Sequence, residues 1–206
     1  MILVGQYDSP FVRRVAVSLR VLGFEYEHDT RSVFGDFDSM RGTNPLGRIP
    51  SLILDSGETL VDSAAILDWL DETVGPARAL IPASGPSRRD ALQTIALATG
   101  TIDKIGAANY ERLIRPSALR WSEWIERCLT QCRGGLDALE HRNWPRTRID
   151  QPLITTACML FYILNTDPDF LPAKDYPALH ALAGRCAAMP AFIATDWKDY
   201  QVPRGD

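Results

Sequence analysis

The pattern of the chain changes at residues 75–87, a segment with three prolines and two glycines. Before this segment, short apolar runs alternate with stretches whose apolar residues recur at helical spacing. After it, no hairpin signal appears, and the apolar residues recur at helical spacing alone. We therefore predict an α/β domain at residues 1–74, a linker at 75–87 and an all-α domain at 88–206.

The first domain has the predicted element order β-α-β-α-β-β-α. Its predicted elements are a strand at 2–5, a helix at 10–22, a strand at 24–28, a short helix within 36–41, a hairpin at 51–61 and a helix that begins at Asp62 or Ser63. Pro10 suits the first position of the first helix, and Gly23 suits its end. Two apolar runs around a turn that contains Gly57 indicate the hairpin.

Composition excludes several classes of protein. The 206 residues are 46% hydrophobic and 23% charged, which excludes a collagen, a disordered chain and a disulfide scaffold. Residues 1–74 carry 6 basic and 12 acidic residues, and the remainder carries 16 and 14. Neither part offers the concentrated basic face that nucleic acid requires.

Hydropathy argues against a membrane protein. The longest apolar run, residues 157–164, has 8 residues, whereas a membrane-spanning helix needs about twenty. The first apolar stretch, residues 2–4, is too short for a signal peptide. We therefore expect a cytoplasmic protein with reduced thiols.

The cysteines and histidines do not suggest a metal site. The cysteines form no Cys-x-x-Cys pair and have no histidine at a zinc-ligand spacing; they are Cys128, Cys132, Cys158 and Cys186. The three histidines are scattered along the chain. We interpret the thiols as small apolar residues of helix cores and expect no metal.

Two short segments of the first domain could bind a ligand. Ser9 precedes Pro10, and its hydroxyl can either cap the first helix or face a ligand at the positive end of that helix. In residues 44–50, Pro50 opens a strand, where the Ile49–Pro50 bond can be cis. The Ile49 backbone would then face outward and pair with an extended peptide, whereas a trans proline would make this an ordinary loop.

Asp62 and Ser63 stand where the last helix of the first domain begins. Together they can hold an amino acid head group, with the ammonium on Asp62 and the carboxylate on Ser63 and the helix N–H groups. The alternative is that this Asp-Ser pair only caps the helix.

These segments together resemble the glutathione transferase family. Residues 9–15 resemble the active-site segment of its serine-type members, residues 44–50 its Asn-Pro-x-Gly-x-x-Pro loop, and residues 62–66 the acid and serine of its glutamyl-binding helix. Residues 80–82 and 189–192 also look like family segments, so the resemblance spans the chain. It implies a thioredoxin-like domain, an α-helical domain, a homodimer, and glutathione in the cleft between the domains.

The resemblance also implies roles for individual residues. Ser9 would activate the glutathione thiol, and Tyr7 is the alternative hydroxyl. The implied glutathione-binding residues are Arg48 at the glycyl carboxylate, Ile49 with a cis Pro50 at the cysteinyl backbone, and Asp62 with Ser63 at the glutamyl end. In the second domain, Thr155 is followed by Cys158 where the family usually has an Asp, so we expect a reciprocal helix cap to be missing.

The second substrate is the least constrained by sequence. We expect its pocket around Phe11 and the end of the first long helix of the second domain, near Asp103, Tyr110, Arg112 and Arg115. One aromatic and two cations would suit an acidic aromatic electrophile. The alternative is that the arginines are solvated or paired with nearby carboxylates.

The resemblance implies an enzyme that activates the glutathione thiol for attack on a small electrophile, without a metal. Two alternatives stay open. One is a binding or regulatory protein that holds glutathione without turnover. The other is a specialised glutathione-dependent isomerase, dehalogenase or ether-cleaving enzyme.

Overall fold

The first part of the chain folds around a four-stranded sheet. The structure, a computed structural model, describes residues 1–144 and 149–197. The sheet has the order β2-β1-β3-β4, in which β1 pairs parallel with β2 and antiparallel with β3. Its strands and helices are β1 (Ile2–Val4), α1 (Pro10–Leu22), β2 (Glu27–Asp29), α2 (Phe37–Thr43), β3 (Ser51–Ile53), β4 (Thr59–Val61) and α3 (Ser63–Val74). The predicted element order is confirmed, and this is a thioredoxin-like fold.

In the described ranges, all the elements that follow α3 are helical. They are α4 (Gly85–Leu113), α5 (Ser122–Glu140), α6 (Gln151–Thr166), α7 (Pro177–Ala187) and α8 (Pro190–Ile193), with short 3-10 turns at Ser117–Leu119 and Pro168–Phe170. The long α4 packs against α5 and α6. None of the helices in the described ranges is long and apolar enough to cross a membrane. The α-helical second domain is thus confirmed, while residues 145–148 and 198–206 of its predicted range lie outside the described residues.

Helix α1 joins the two parts of the molecule. It contacts α3 on the sheet side and α6 and α8 on the helical side. Because α1 is covered on two sides, even its arginines Arg13 and Arg14 are buried, with 5% and 3% exposure. Helix α1 is therefore packed between the two domains.

The segment that connects α3 to α4 is held in place by hydrogen bonds. The Asp71 carboxylate accepts hydrogen bonds from the backbone N–H groups of Leu80 and Ile81, at 2.7 and 3.0 Å. The N–H of Gln151 donates to the Leu80 carbonyl at 3.1 Å. Since α4 begins at Gly85, the last three residues of the predicted linker form its first turn.

The sequence pattern predicts a loop bounded by Pro145 and Pro152 and then a helix from Thr155 to Asn165, and the start of α6 differs from that prediction. The helix begins at Gln151, and Asp150 caps it by accepting from the Leu153 N–H at 3.0 Å. Thr155 lies one turn inside the helix, where its hydroxyl accepts from Gln151. The reciprocal cap between Thr155 and residue 158 is not formed, and Asp150 caps the helix one turn earlier instead. All four cysteines are buried, as predicted, and burial raises the pKa of Cys158 to about 12.

Candidate active site

A cleft made of two adjoining cavities separates the loops of the α/β domain from α4. It consists of a main cavity of about 530 Å³ and a smaller branch of about 280 Å³. Residues common to both are Phe11, Leu46, Arg48, Ile49 and Asp103. The main cavity opens at the N-terminus of α1, and the branch ends at the N-terminus of α3.

Ser9 lies at the wall of the main cavity, as the N-cap of α1. Its Oγ accepts from the Val12 N–H at 3.4 Å, which is long for a hydrogen bond. This capping bond uses only an acceptor position, so the Ser9 O–H is able to donate to a ligand. The positive end of the α1 dipole favours an anion at the same place.

Tyr7, the alternative hydroxyl, is turned away from the cleft. Its hydroxyl lies 2.8 Å from that of Tyr26, and its ring stacks on His28 with 3.9 Å between ring centroids. Burial, together with the bond to Tyr26, holds the pKa of Tyr7 above its ordinary value. The geometry therefore favours Ser9 over Tyr7.

The segment before β3 presents its backbone to the cleft. The Ile49–Pro50 bond is cis, and Ile49 lines both cavities. Within the described residues, neither backbone polar group of Ile49 has a hydrogen-bond partner. The buried Asn44 fixes this loop by donating to the Arg48 carbonyl at 2.8 Å and accepting from the Leu46 N–H at 3.0 Å.

A close approach of two backbones also shapes this site. A Cβ on Gly5 would lie 2.7 Å from the Cβ of Ile49, and Gly5 has a φ of +123. Only glycine meets both demands. The sequence pattern identified Asn44 only as part of the motif at 44–50 and Gly5 only as the end of the first strand. The roles of these two residues in shaping the site were not predicted.

Asp62 and Ser63 lie in the smaller branch, as the start of α3. Asp62 is exposed and has a φ of 71, and its Oδ1 accepts from the Ala64 N–H at 2.8 Å. Ser63 is buried, and its Oγ accepts from Nη2 of Arg14 at 2.7 Å. Arg14 escaped the sequence analysis because an arginine within a helix pattern ordinarily indicates a solvated face.

The structure brings only some of the residues predicted for the second-substrate pocket to one cavity. Phe11, Asp103 and Tyr110 line the main cavity, but Arg112 and Arg115 do not. Arg112 pairs with Asp167 at 3.1 Å, and Arg115 pairs with Glu111 at 2.7 Å. Both cations are thus neutralised outside the cavity.

The main cavity is instead aromatic and acidic. The side chains that sequence reasoning missed include Asp8, Phe34, Phe37 and Tyr162. Phe34 meets Tyr110 edge to face, with 5.8 Å between ring centroids. Burial raises the pKa of both Asp8 and Asp103. Across the described ranges, no three His, Cys, Asp or Glu side chains converge as candidate metal ligands.

Known proteins share this architecture. A family model described as the glutathione S-transferase N-terminal domain matches residues 3–78. The GST-like protein YibF of Escherichia coli K12 is 31% identical in an alignment of 146 positions that covers 68% of each chain. A glutathione transferase family member from Pseudomonas fluorescens Pf-5, crystallised with bound glutathione, is 32% identical with a TM-score of 0.85 and covers 94% of this chain and 97% of its own. The chain belongs to the glutathione transferase family.

Family membership leaves the reaction open, because the family contains different activities. The maleylacetoacetate isomerase of Pseudomonas aeruginosa is 27% identical over 209 residues, covering 93% of both chains. The chain is therefore similar over nearly its full length both to a glutathione-binding transferase structure and to an isomerase.

Proposed function

We propose that this glutathione transferase family member binds glutathione along the cleft and ionises its thiol at Ser9 for attack on a small electrophile. The observation that carries this proposal is that the two cavities of the cleft adjoin and share Ile49 and four other lining residues. A hydroxyl at a helix N-terminus, an unpaired backbone edge and an acid-serine pair line these adjoining cavities.

Each end of glutathione has a partner of fitting chemistry. The Ile49 backbone N–H and C=O pair with the cysteinyl residue as an added strand would. Asp62 accepts from the glutamyl ammonium, while Ser63 and the α3 N-terminus receive the glutamyl carboxylate. Arg48, exposed at the junction of the two cavities, meets the glycyl carboxylate. With glutathione placed in this way, its sulfur lies at the N-terminus of α1.

Ionisation of the thiol is the chemical task of the site. A free thiol with a pKa of about 8.5 is roughly 3% thiolate at neutral pH. To lower that pKa by two units, the site must stabilise the thiolate relative to the thiol by about 2.7 kcal/mol. One charge-assisted hydrogen bond from Ser9, about 1.5 to 3 kcal/mol, together with the helix dipole supplies this amount.

The lining of the main cavity suits an uncharged aromatic electrophile. Phe34 and Tyr110 offer ring contacts, whereas the carboxyl groups of Asp8 and Asp103 offer nothing that attracts an anion. The cation of this lining, Arg48, is assigned to the glycyl carboxylate of glutathione. Because the arginines that favoured an acidic substrate are paired elsewhere, that expectation no longer has support.

A glutathione-dependent isomerase is the second candidate, favoured by the relatives that bear that name. An acidic substrate such as an acetoacetate derivative would have to share Arg48, the cation of the main-cavity lining, with the glycyl carboxylate of glutathione. Disulfide exchange has little support, since every cysteine is buried.

Calorimetry with glutathione, followed by rate assays, tests the proposal. We expect saturable binding and faster conjugation of uncharged than of carboxylate-bearing aromatic electrophiles at equal intrinsic reactivity. Binding without turnover of any electrophile would favour a regulatory protein. Turnover of a cis-configured keto acid without net glutathione consumption would favour the isomerase.

A further inference from the structure

A buried tyrosine of α6 lines the main cavity, and its hydroxyl hydrogen has no acceptor in the described part of the chain. Tyr162 is only 9% exposed and belongs to the lining of that cavity. Its hydroxyl oxygen accepts a hydrogen bond from Nδ2 of Asn109 on α4, at 3.2 Å. No described group accepts from the Tyr162 hydroxyl itself. A buried donor without an acceptor is unfavourable, so this hydroxyl is suited to an acceptor that a ligand brings.

The hydroxyl end of Tyr162 lies near other groups of the same cavity. Burial raises the pKa of Tyr162, the bond from Asn109 lowers it, and the nearby Tyr110 and Asp8 raise it further. Tyr110 and Asp8 both line the main cavity. Because the resulting pKa lies above the ordinary tyrosine value of about 10, the hydroxyl keeps its proton at neutral pH and acts as a hydrogen-bond donor.

Asn109 fixes the direction in which this hydroxyl donates. It is 6% exposed, and the packing of α4 against α6 holds it beside Tyr162. Because its Nδ2 group donates, Asn109 occupies a lone pair of the phenol oxygen and leaves the O–H hydrogen directed elsewhere. A hydroxyl that accepts one hydrogen bond is also a stronger donor of another. The two residues therefore present one polarised O–H group to a ligand.

We infer that Tyr162 is a catalytic residue that donates a hydrogen bond to the oxygen of the electrophile, that Asn109 is its positioning residue, and that the second substrate is an α,β-unsaturated ketone or aldehyde. This inference rests on the proposed function, because it takes the thiolate formed at Ser9 as the nucleophile. Ser9 and Tyr162 line the same cavity from different elements, the N-terminus of α1 and α6. The sulfur and the carbonyl oxygen therefore have separate partners in one cavity.

Addition to a conjugated carbonyl places charge on an atom that such a donor can reach. The sulfur forms a bond to the β-carbon, the electron pair of the C=C bond moves to the bond between the α-carbon and the carbonyl carbon, and the carbonyl π pair moves to oxygen. Tyr162 stabilises this enolate oxygen by hydrogen bonding and keeps its own proton. Water then protonates the α-carbon, which balances the proton that the thiol released, and no group leaves. The hydrogen bond strengthens as the charge develops, so it raises kcat.

Two electrophiles and three variants separate this role from a structural one. Benzalacetone and benzyl chloride are both uncharged aromatic compounds, but only benzalacetone has a carbonyl oxygen. Tyr162→Phe removes the donor, and the carboxylate of Asn109→Asp accepts the Tyr162 hydrogen and withdraws it from the ligand. Tyr176→Phe is the matched control, since Tyr176 is also 9% exposed, bonds Asp137 at 3.0 Å and lines neither cavity.

Conjugation rates are measured at saturating glutathione and divided by the uncatalysed rates. We expect the wild type to accelerate the benzalacetone reaction at least about tenfold more than the benzyl chloride reaction. Tyr162→Phe should lower kcat for benzalacetone about tenfold to a hundredfold and change kcat for benzyl chloride less than about threefold. Asn109→Asp should show the same selective loss, although it retains the tyrosine. Tyr176→Phe should leave both rates unchanged.

Three results would overturn the inference. Equal loss of both reactions in Tyr162→Phe and Asn109→Asp would show that the pair is only structural. A wild type that accelerates both reactions equally would refute the assigned substrate class, and this comparison needs no variant to fold. In that case continued conjugation of benzyl chloride would leave the proposed function standing. A wild type that binds glutathione and conjugates neither compound would refute the proposed function itself.

Discussion

At the scale of single residues, Asp62 shows how one side chain can serve both fold and ligand. Its Oδ1 caps α3, and its backbone has a positive φ, which Asp and Asn tolerate better than most residues. An asparagine keeps the cap and the backbone conformation but loses the charge. The cap and the ligand contact can therefore be separated by one substitution.

We expect Asp62→Asn to weaken glutathione binding about tenfold, because the ammonium of the ligand loses a charged acceptor. The rate of the bound complex should change less than about twofold, since this contact is remote from the sulfur. Calorimetry and saturation kinetics measure the two quantities. An unchanged dissociation constant would show that Asp62 is only a cap.

Asp8 provides a pH-dependent prediction. Burial raises its pKa, so the folded protein holds this proton more tightly than the unfolded chain does. Its ionisation therefore destabilises the fold, a penalty absent well below the ordinary Asp pKa of about 3.9 and complete above the raised pKa. Asp8→Asn should raise the melting temperature at neutral pH, and this gain should vanish as the pH falls below that ordinary value.

The exposed Glu25 offers a control for the change in net charge. Glu25→Gln should leave the melting curve almost unchanged at every pH. A gain in Asp8→Asn that persists undiminished in acid would contradict the assignment to ionisation.

At the scale of elements, the junction of α3 and α4 depends on one carboxylate. Asp71 accepts two backbone N–H groups of the connecting segment, which would otherwise lose their partners. We expect Asp71→Ala to lower the free energy of unfolding by about 1 to 3 kcal/mol. Asp68→Ala on the same helix is the control, because the Asp68 side chain is 81% exposed and forms only a 3.9 Å ion pair. Equal denaturant midpoints for the two variants would exclude an anchoring role for Asp71.

Elements defined by local signals could be predicted from the sequence, and those defined by distant contacts could not. Pro10, Gly23 and the turn around Gly57 act within a few residues, and the elements they delimit lie where expected. The start of α6 was misplaced because Pro152 resembles a loop residue, although proline is also favoured in the first turn of a helix. The Asp150 cap was therefore overlooked.

The same distinction holds within the site. The segments at Ser9, Pro50 and Asp62 are short motifs, and the structure gathers them at one cleft. The pairing of Arg112 with Asp167 joins residues 55 positions apart, and that of Arg14 with Ser63 joins residues 49 apart. Such contacts depend on how α1, α3, α4 and α6 pack, which helical periodicity does not specify.

At the scale of the whole molecule, we expect a homodimer. Residues 1–74 carry an excess of six acidic residues, and the remainder carries an excess of two basic ones. The first domain of one subunit could therefore lie against the second domain of its partner. Light scattering at micromolar concentration should give twice the 22.9 kDa mass of the chain. A mass that stays at the monomer value would count decisively against this arrangement.

The central claim is that the cleft ionises the thiol of bound glutathione through Ser9. Titration of thiolate absorbance against pH, in the saturated wild type and in Ser9→Ala, tests it most directly. The wild type should show a thiol pKa about two units below the free value of about 8.5, and the variant should return most of the way to that value. Glutathione affinity should change little, and because the capping bond is long at 3.4 Å, the variant should remain folded. Coincident titration curves for the two proteins would contradict the account and assign thiol activation to backbone N–H groups instead.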